Sequence, residues 1–223
     1  SLVVGRWSLV VANKVWYKRD MVDRENKAIE ALKKKDKKLA QIIDQVGPLP
    51  GNISSGDYFF DLVDSIVSQQ LSIKAAATIM KRFVTLFPDG KVTPEAVLYL
   101  DSEIIRQAGI SYSKIKYMKD LAEKTLASGI VFEQFSIMTD EEIIEELIKV
   151  KGIGRWTAEM FLMFTLNRPD IFSYGDLGLR NAVKKLYGFE LEPTKEEAEA
   201  IADNWKPYRT IASRYLWKSL ELR

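Results

Sequence analysis

The helical spacing of its apolar residues is the feature that most constrains what this chain can fold into. After residue 20, apolar side chains recur every three or four positions, and no segment alternates like a strand over more than four residues. No repeat of 20–50 residues occurs either. Because this spacing predicts amphipathic helices, we expect an all-α protein of about ten helices.

Capping residues and glycine or proline breaks predict where the helices lie. Thr139 with Glu142, and Thr194 with Glu197, match the reciprocal capping box that opens a helix. Residues 47–51 predict a stiff linker after the first helix. The predicted helices are 28–46, 57–68, 73–87, 94–99, 102–108, 114–127, 140–150, 155–166, 177–187, 195–205 and 208–222.

The 223 residues include no cysteine and no histidine. This excludes disulfides, thiolate zinc sites, cysteine-ligated iron–sulfur clusters and thiol nucleophiles. It equally excludes catalytic triads that contain histidine, and metal sites that need imidazole. Any catalysis must therefore use carboxylate, lysine, arginine, tyrosine, hydroxyl or backbone groups.

The first twenty residues differ in composition from the rest, and we expect residues 1–20 to be an N-terminal extension, native or not, with Met21 as a natural start. No run of eighteen uncharged apolar residues occurs, which excludes a membrane span. Arg6 and Lys14 interrupt the apolar start, which argues against a signal peptide.

Charge is nearly balanced beyond the extension, with 29 basic and 30 acidic residues. This argues against nucleic-acid binding by bulk positive charge. The lysine-rich run 33–38 lies within a predicted amphipathic helix, so we interpret it as a solvated helix face. The alternative is a phosphate-facing surface.

The segment 147–158 is the most informative motif. A capped helix runs into Gly152-Ile153-Gly154, and another helix begins at once, so the two form a tight hairpin. Glycines leave backbone N–H groups uncovered beside a helix N-terminus, where a phosphate can bind, and Lys149 and Lys151 would add attraction. The alternative is a hairpin turn without a ligand.

Farther along the chain, Asp176 opens a helix after Gly175. The hairpin and this aspartate, together with residues 66–76, 108–114 and 205–209, resemble the helix-hairpin-helix DNA glycosylase superfamily. The resemblance covers roughly residues 55 to 220. Residues 152–158 are most similar to its AlkA/Mag-like 3-methyladenine branch.

The resemblance implies that Asp176 is the catalytic carboxylate. Hydrolysis of an N-glycosidic bond develops positive charge on the sugar, which a carboxylate near C1′ stabilises. An acid at a helix N-terminus favours its ionised form, as this role requires. The alternative is a helix cap without chemistry.

Base recognition is implied at three positions. Branches that also cleave the strand carry a lysine where this chain has Trp156, so we expect a monofunctional glycosylase. Trp156 can stack on a flipped base and attract a cationic alkylpurine. Tyr208 matches a second aromatic wall, and Met160 replaces a pocket tyrosine. Trp205 and Trp217 are expected in the core.

DNA contacts are implied at other turns. The turn Gln69-Gln70-Leu71 is the expected wedge that fills the space of the flipped nucleotide, with a polar turn between helices as the alternative. Further candidate DNA-binding residues are Lys74, Ser113 and Lys114, alongside the hairpin residues Lys149, Lys151, Gly152, Ile153 and Gly154. The resemblance also allows a structural Na⁺ or K⁺ on hairpin carbonyls near Val150 and Gly152. No other cofactor is expected, and the absence of cysteine excludes the iron–sulfur cluster of the endonuclease III and MutY branches.

The implied fold is a two-lobed, all-α helix-hairpin-helix glycosylase with its active-site cleft between the lobes. We expect residues 25–59 plus 173–223 to form the terminal-helix lobe and residues 60–172 the central lobe. The expected activity is release of alkylated purines, such as 3-methyladenine or 7-methylguanine, from damaged double-stranded DNA, leaving an abasic site. Alternatives are a glycosylase for uracil, hypoxanthine or oxidised guanine, or a non-catalytic DNA-binding module. We expect a monomer without membrane association, located in the cytoplasm (nucleoid) of a prokaryote or in the nucleus of a eukaryote.

Overall fold

The computed structural model describes residues 23–50 and 54–222, and all regular secondary structure in these ranges is helical. Twelve α-helices occur in them: α1 (23–35), α2 (Lys37–Val46), α3 (Tyr58–Ser68), α4 (Ile73–Val84), α5 (Pro94–Tyr99), α6 (Ser102–Gln107), α7 (Tyr112–Leu126), α8 (Asp140–Leu147), α9 (Arg155–Phe164), α10 (Leu177–Tyr187), α11 (Lys195–Asp203) and α12 (Arg209–Ser219). Short 3₁₀ helices cover Pro88–Gly90 and Phe132–Ser136. Within the same ranges, no helix has the length and apolar character needed to cross a membrane. The extension expected at residues 1–20, and Gly51 of the linker, lie outside the described residues.

Local capping explains why many helices start where they do. Both predicted capping boxes are confirmed: Thr139 and Glu142 close theirs at α8, and Thr194 and Glu197 do so at α11. The prediction that a helix begins at Lys114 was two residues late. The Ser111 hydroxyl accepts from the Lys114 amide, so α7 already begins at Tyr112.

The single helix predicted over 28–46 is wrong, because Asp36 interrupts it. Asp36 has an extended backbone, and its carboxylate accepts from the amides of Lys38 and Leu39, which caps α2. Lysines on both sides of Asp36 have partners within the protein. The Lys33 ammonium lies 2.7 Å from the Asp44 carboxylate, and that of Lys38 donates to the Tyr187 carbonyl. These contacts favour the interpretation of a surface helix face over one that faces phosphate.

The chain divides into two compact units. Of the described residues, the terminal unit comprises 23–50 and 169–222, and the central unit 54–168. The boundaries of these units differ from those predicted for the two lobes. Residues 54–59 belong to the central unit, and residues 169–172 belong to the terminal unit. The rings of Tyr58 and Phe161 explain the first difference, because they pack edge to face at 5.9 Å within the central unit. The hydrogen bond from the Thr210 amide to the Pro169 carbonyl explains the second.

Each unit has its own apolar core. In the terminal unit, α1, α2, α10 and α12 enclose Trp205, which is fully buried as predicted. Other buried members of this core are Leu32, Leu39, Ile43, Leu179, Ala182, Val183, Ala202, Ala212, Tyr215 and Leu216. In the central unit, α3, α7 and α9 contribute completely buried residues such as Leu62, Met118 and Leu162. These cores provide rigid supports for the turns described next.

Candidate active site and DNA-contacting turns

The hairpin between α8 and α9 closes around Gly152. Its φ of +81° is a left-handed conformation that glycine adopts without strain. A β-carbon at this position would lie 2.1 Å from Cδ2 of Tyr117, so the tyrosine ring occupies the space of any larger residue. The Ile153 amide donates to the Val150 carbonyl at 3.1 Å, which completes the turn. Both the backbone and the packing therefore require glycine at residue 152.

Asp120 on α7 anchors this hairpin. Its Oδ2 accepts from the Lys151 amide at 2.9 Å, and the ammonium groups of Lys124 and Lys151 lie 2.6 Å and 3.5 Å from its carboxylate. Burial would raise the pKa of Asp120, but the hydrogen bonds from Lys124 and the Lys151 amide outweigh it and lower the pKa. Sequence reasoning missed this residue because its partners become neighbours only in the fold.

These contacts narrow the anion site predicted at the hairpin. Ile153 was expected to contact a phosphate. Its side chain is buried, however, and its amide already donates to the Val150 carbonyl, so neither group faces a phosphate. Lys149 pairs with Glu146 at 2.6 Å, although half of its side chain stays exposed. Gly154 caps α9 without a side-chain hydrogen bond. The backbone N–H groups at the start of α9 point out of the helix end, which is the position predicted for the phosphate.

The predicted wedge separates into two parts. The amide Nε2 of Gln69 donates to the Gly152 carbonyl at 2.9 Å, so Gln69 links the turn to the hairpin rather than projecting from it. Gln70, by contrast, is exposed with a left-handed φ of 57°, and Leu71 is 38% exposed. Gln70 and Leu71 therefore remain the candidates to enter a duplex, and Gln69 does not.

Lys114 also has a different place from the one predicted. Its ammonium donates to the carbonyls of Val67 and Gln69 at 2.7 Å each, and burial lowers its pKa. It therefore satisfies the C-terminal carbonyls of α3 instead of facing a phosphate. Ser113 and Lys74 are both exposed at the first turns of their helices, in positions compatible with phosphate contacts.

The three candidate pocket residues lie on two elements. Trp156 is the second residue of α9 and is 45% exposed, which is unusual for so large an apolar side chain. Met160 follows one helical turn later and is half-buried. Tyr208 precedes α12 in the terminal unit, where its half-buried ring packs against the core.

Asp176 occupies the N-cap of α10. Its Oδ1 accepts from the Leu179 amide at 2.7 Å and from the indole Nε1 of Trp217 at 2.8 Å. The residue is half-buried, so its carboxylate is fixed by the protein without being enclosed. Trp217 was expected only in the core; it does pack there, half-buried, but it also donates to the candidate catalytic group. No sequence signal predicted this contact, since 41 residues separate the two.

Residues 63–207 match the model of the HhH-GPD superfamily of base excision DNA repair proteins. The chain belongs to this superfamily. Among curated superfamily members, DNA-3-methyladenine glycosylase 1 of Schizosaccharomyces pombe is 37% identical over 210 residues, which cover 92% of each chain.

Solved structures of superfamily members agree with this assignment. The S. pombe 3-methyladenine DNA glycosylase Mag1, in complex with abasic DNA, superposes with a TM-score of 0.79 at 36% identity, covering 88% of this chain and 97% of that one. A DNA-3-methyladenine glycosidase from Bacillus halodurans gives 0.77 at 38% identity, covering 87% and 89%. The all-α helix-hairpin-helix glycosylase fold predicted from the sequence is confirmed.

Proposed function

We propose that this protein is a monofunctional DNA glycosylase that releases alkylated purine bases from double-stranded DNA. The observation that carries the proposal is the Asp176 carboxylate, held by two N–H donors at the start of α10. The relatives support the base class, because the relative and the two solved structures described above are named for 3-methyladenine. The site of action is then wherever the genome lies, the nucleoid or the nucleus.

Asp176 performs the role that glycosidic hydrolysis requires. The bond between C1′ and the base nitrogen breaks, and its electron pair leaves with the base, so an alkylated cationic purine departs neutral. A water oxygen then bonds to C1′ and loses a proton. The carboxylate stabilises the positive charge that develops on the sugar and orients this water. No histidine or cysteine is needed.

Trp156 supplies recognition rather than covalent chemistry. An indole has no amine that could attack C1′ to form a Schiff base, so the strand stays intact after base release. Its exposed ring offers a face on which a flipped base stacks, with cation–π attraction for an alkylpurine. Tyr208 and Met160 are the further pocket residues in this proposal.

The backbone and the wedge hold the DNA. The N-terminus of α9, which follows Gly154, binds a phosphate, assisted by the exposed Lys151. Gln70 and Leu71 fill the space left in the duplex. The near-neutral charge of the chain suits this mode, in which backbone amides replace bulk positive charge.

A monovalent cation at the hairpin is part of the proposal. The carbonyls of Val150 and Gly152 would hold it; each accepts one hydrogen bond, from Ile153 and Gln69 respectively. A carbonyl oxygen has two lone pairs, so such a ligand set fits Na⁺ or K⁺. When bound, the ion supplies positive charge beside a DNA phosphate.

The decisive experiment compares Asp176→Asn with the wild type in single-turnover base release from duplexes that each carry one lesion. We expect the wild type to release 3-methyladenine or 7-methylguanine, and the variant to be slower by about 10³-fold or more. Asparagine still caps a helix, so folding and DNA affinity should persist. Asp57→Asn, at the N-cap of α3, is the matched control and should keep the wild-type rate.

Other outcomes select between the alternatives. If the protein released only uracil, hypoxanthine or oxidised guanine, that base would replace alkylated purines as its substrate. DNA binding without release of any lesion would indicate a non-catalytic module. A covalent enzyme–DNA adduct trapped by borohydride would contradict monofunctional chemistry.

A further inference from the structure

We infer that Trp217 is a positioning residue for Asp176, and that Gly178 preserves the space in which their side chains meet. The inference rests on the proposed catalytic role of Asp176. It concerns three residues of the terminal unit that lie on two helices, α10 and α12.

Two donors converge on one carboxylate oxygen. The Leu179 amide comes from the helix that Asp176 caps, and the Trp217 indole comes from α12; they lie 2.7 Å and 2.8 Å from Oδ1. A single capping bond leaves rotation about the last side-chain torsion of an aspartate broad. A second donor from another helix restricts this rotation and fixes the plane of the carboxylate.

The indole is chemically suited to this task. Its N–H donates only, and it carries no charge at any pH at which the protein is folded. A lysine or arginine in its place would offset the negative charge that the developing sugar cation requires. Trp217 therefore orients the carboxylate without neutralising it.

The donor is itself held in place. The Trp217 ring is half-buried and packs against the terminal-unit core, so the position of its N–H follows from that of α12. Rigid support of this kind matters because a displacement of about 1 Å in a reacting group can cost 10²-fold in rate.

Gly178 is required by the same contact. A β-carbon at residue 178 would lie 3.0 Å from Oδ1 of Asp176 and 3.1 Å from Cδ1 of Trp217, which is tighter than ordinary contact distances of about 3.5 Å. Glycine inside a helix is less stable than alanine. Its presence in the first turn of α10 is therefore explained by the close approach of the carboxylate and the indole.

The first test replaces Trp217 with phenylalanine, which keeps an aromatic ring in the core and removes only the N–H donor and the second ring. We expect the single-turnover rate of base release to fall by about 10- to 100-fold, while the Kd for lesion-containing DNA changes less than about threefold. Trp205→Phe is the matched control, because it removes an indole donor to the other capping aspartate of the same unit, Asp36. It should leave the rate of the folded enzyme unchanged.

The second test is Gly178→Ala. Alanine favours the helix, so the thermal midpoint should stay the same or rise, whereas the rate should fall by about tenfold because the β-carbon displaces the indole or the carboxylate. If Trp217 had a purely structural role, the rate of base release would fall only in a variant whose thermal midpoint also falls. If Trp217→Phe does not fold, Gly178→Ala alone tests whether Trp217 positions Asp176.

Asp176→Asn, measured in the same assay, separates the two claims. A wild-type rate for that variant would overturn the proposed catalytic role. Loss of activity in Asp176→Asn together with wild-type rates in Trp217→Phe and Gly178→Ala would overturn only the positioning role.

Discussion

Asp36 and Asp176 present the same local arrangement twice within the terminal unit. Each aspartate caps a helix, α2 or α10, by accepting from backbone amides of the first turn. Each also accepts from a tryptophan indole far along the chain, Trp205 for Asp36 and Trp217 for Asp176. A capping aspartate with an indole partner is therefore not by itself a sign of catalysis.

The surroundings of the two carboxylates differ. At Asp36, Oδ1 accepts from two amides, and Oδ2 accepts from the Tyr187 hydroxyl and the Trp205 indole. Trp205 is completely buried, and the network joins α1–α2 to the core. At Asp176, the amide and the indole both donate to Oδ1, and the indole is only half-buried. At Asp36 the tryptophan indole and the capping amides reach different carboxylate oxygens, whereas at Asp176 the indole and the capping amide share Oδ1.

Electrostatics at Asp36 follow from its donors. Burial alone would raise the pKa of Asp36, but hydrogen bonds from the Leu39 amide, Tyr187 and Trp205 outweigh it, so the pKa lies below its ordinary value of 3.8. Burial, together with the hydrogen bond to Asp36, raises the pKa of Tyr187. The Asp36 carboxylate thus stabilises the folded state as an ion.

Among the variants that test this comparison, Asp36→Asn should have the largest effect on stability. We expect the free energy of unfolding to fall by about 2–3 kcal/mol, because the amide group cannot accept at the position of the lost oxygen and leaves Tyr187 or Trp205 without its acceptor. The thermal midpoint should fall by about 4–10 °C. Chemical denaturation and calorimetry measure both quantities.

The same test also compares the activity of Asp36→Asn with the stability of Asp176→Asn. Asp36→Asn should retain wild-type base release per folded molecule, and Asp176→Asn should retain stability within about 1 kcal/mol. If Asp36→Asn lost activity at a temperature at which it is fully folded, the division between a structural and a catalytic aspartate would be wrong.

Trp205→Phe should have the next largest effect. It removes one donor to Asp36 and leaves a space in a fully buried site, so we expect a loss of about 2 kcal/mol in unfolding free energy. Combined with Asp36→Asn, the two losses should be less than additive, because they remove the same interaction. Additive losses would show that the indole contributes through packing alone.

Short-range signals in the sequence predicted much of the fold. The capping boxes at Thr139 and Thr194 fixed two helix starts, because each depends on residues only three positions apart. The glycine hairpin and Asp176 were likewise visible as local motifs. The interruption at Asp36 was not, since the amphipathic period continues through the lysines on both sides of it.

Partners distant in sequence account for what was missed. Gln69 and Lys114 were expected to face DNA, but both donate to backbone carbonyls instead. Gln69 reaches the Gly152 carbonyl, 83 residues away, and Lys114 reaches those of Gln69 and Val67, 45 and 47 residues away. Trp217 has the spacing of a core residue in α12, and this spacing does not predict its hydrogen bond to Asp176. A polar side chain in a motif can thus serve a neighbouring turn rather than the ligand.

The pH dependence of stability gives the smallest and most specific test of the Asp36 network. A lowered folded-state pKa means that the stabilisation is complete above the ordinary pKa of 3.8 and is lost as the pH falls through the folded-state pKa. The difference in unfolding free energy between wild type and Asp36→Asn should therefore be constant from pH 7 to about 5 and shrink below about 4. Other carboxylates with lowered pKa values, such as Asp120 and Glu141, are present in both proteins and cancel in this difference. Denaturant titrations from pH 7 to 3 measure it, and a difference that stayed constant to pH 3 would show that the network does not depend on the charge of Asp36.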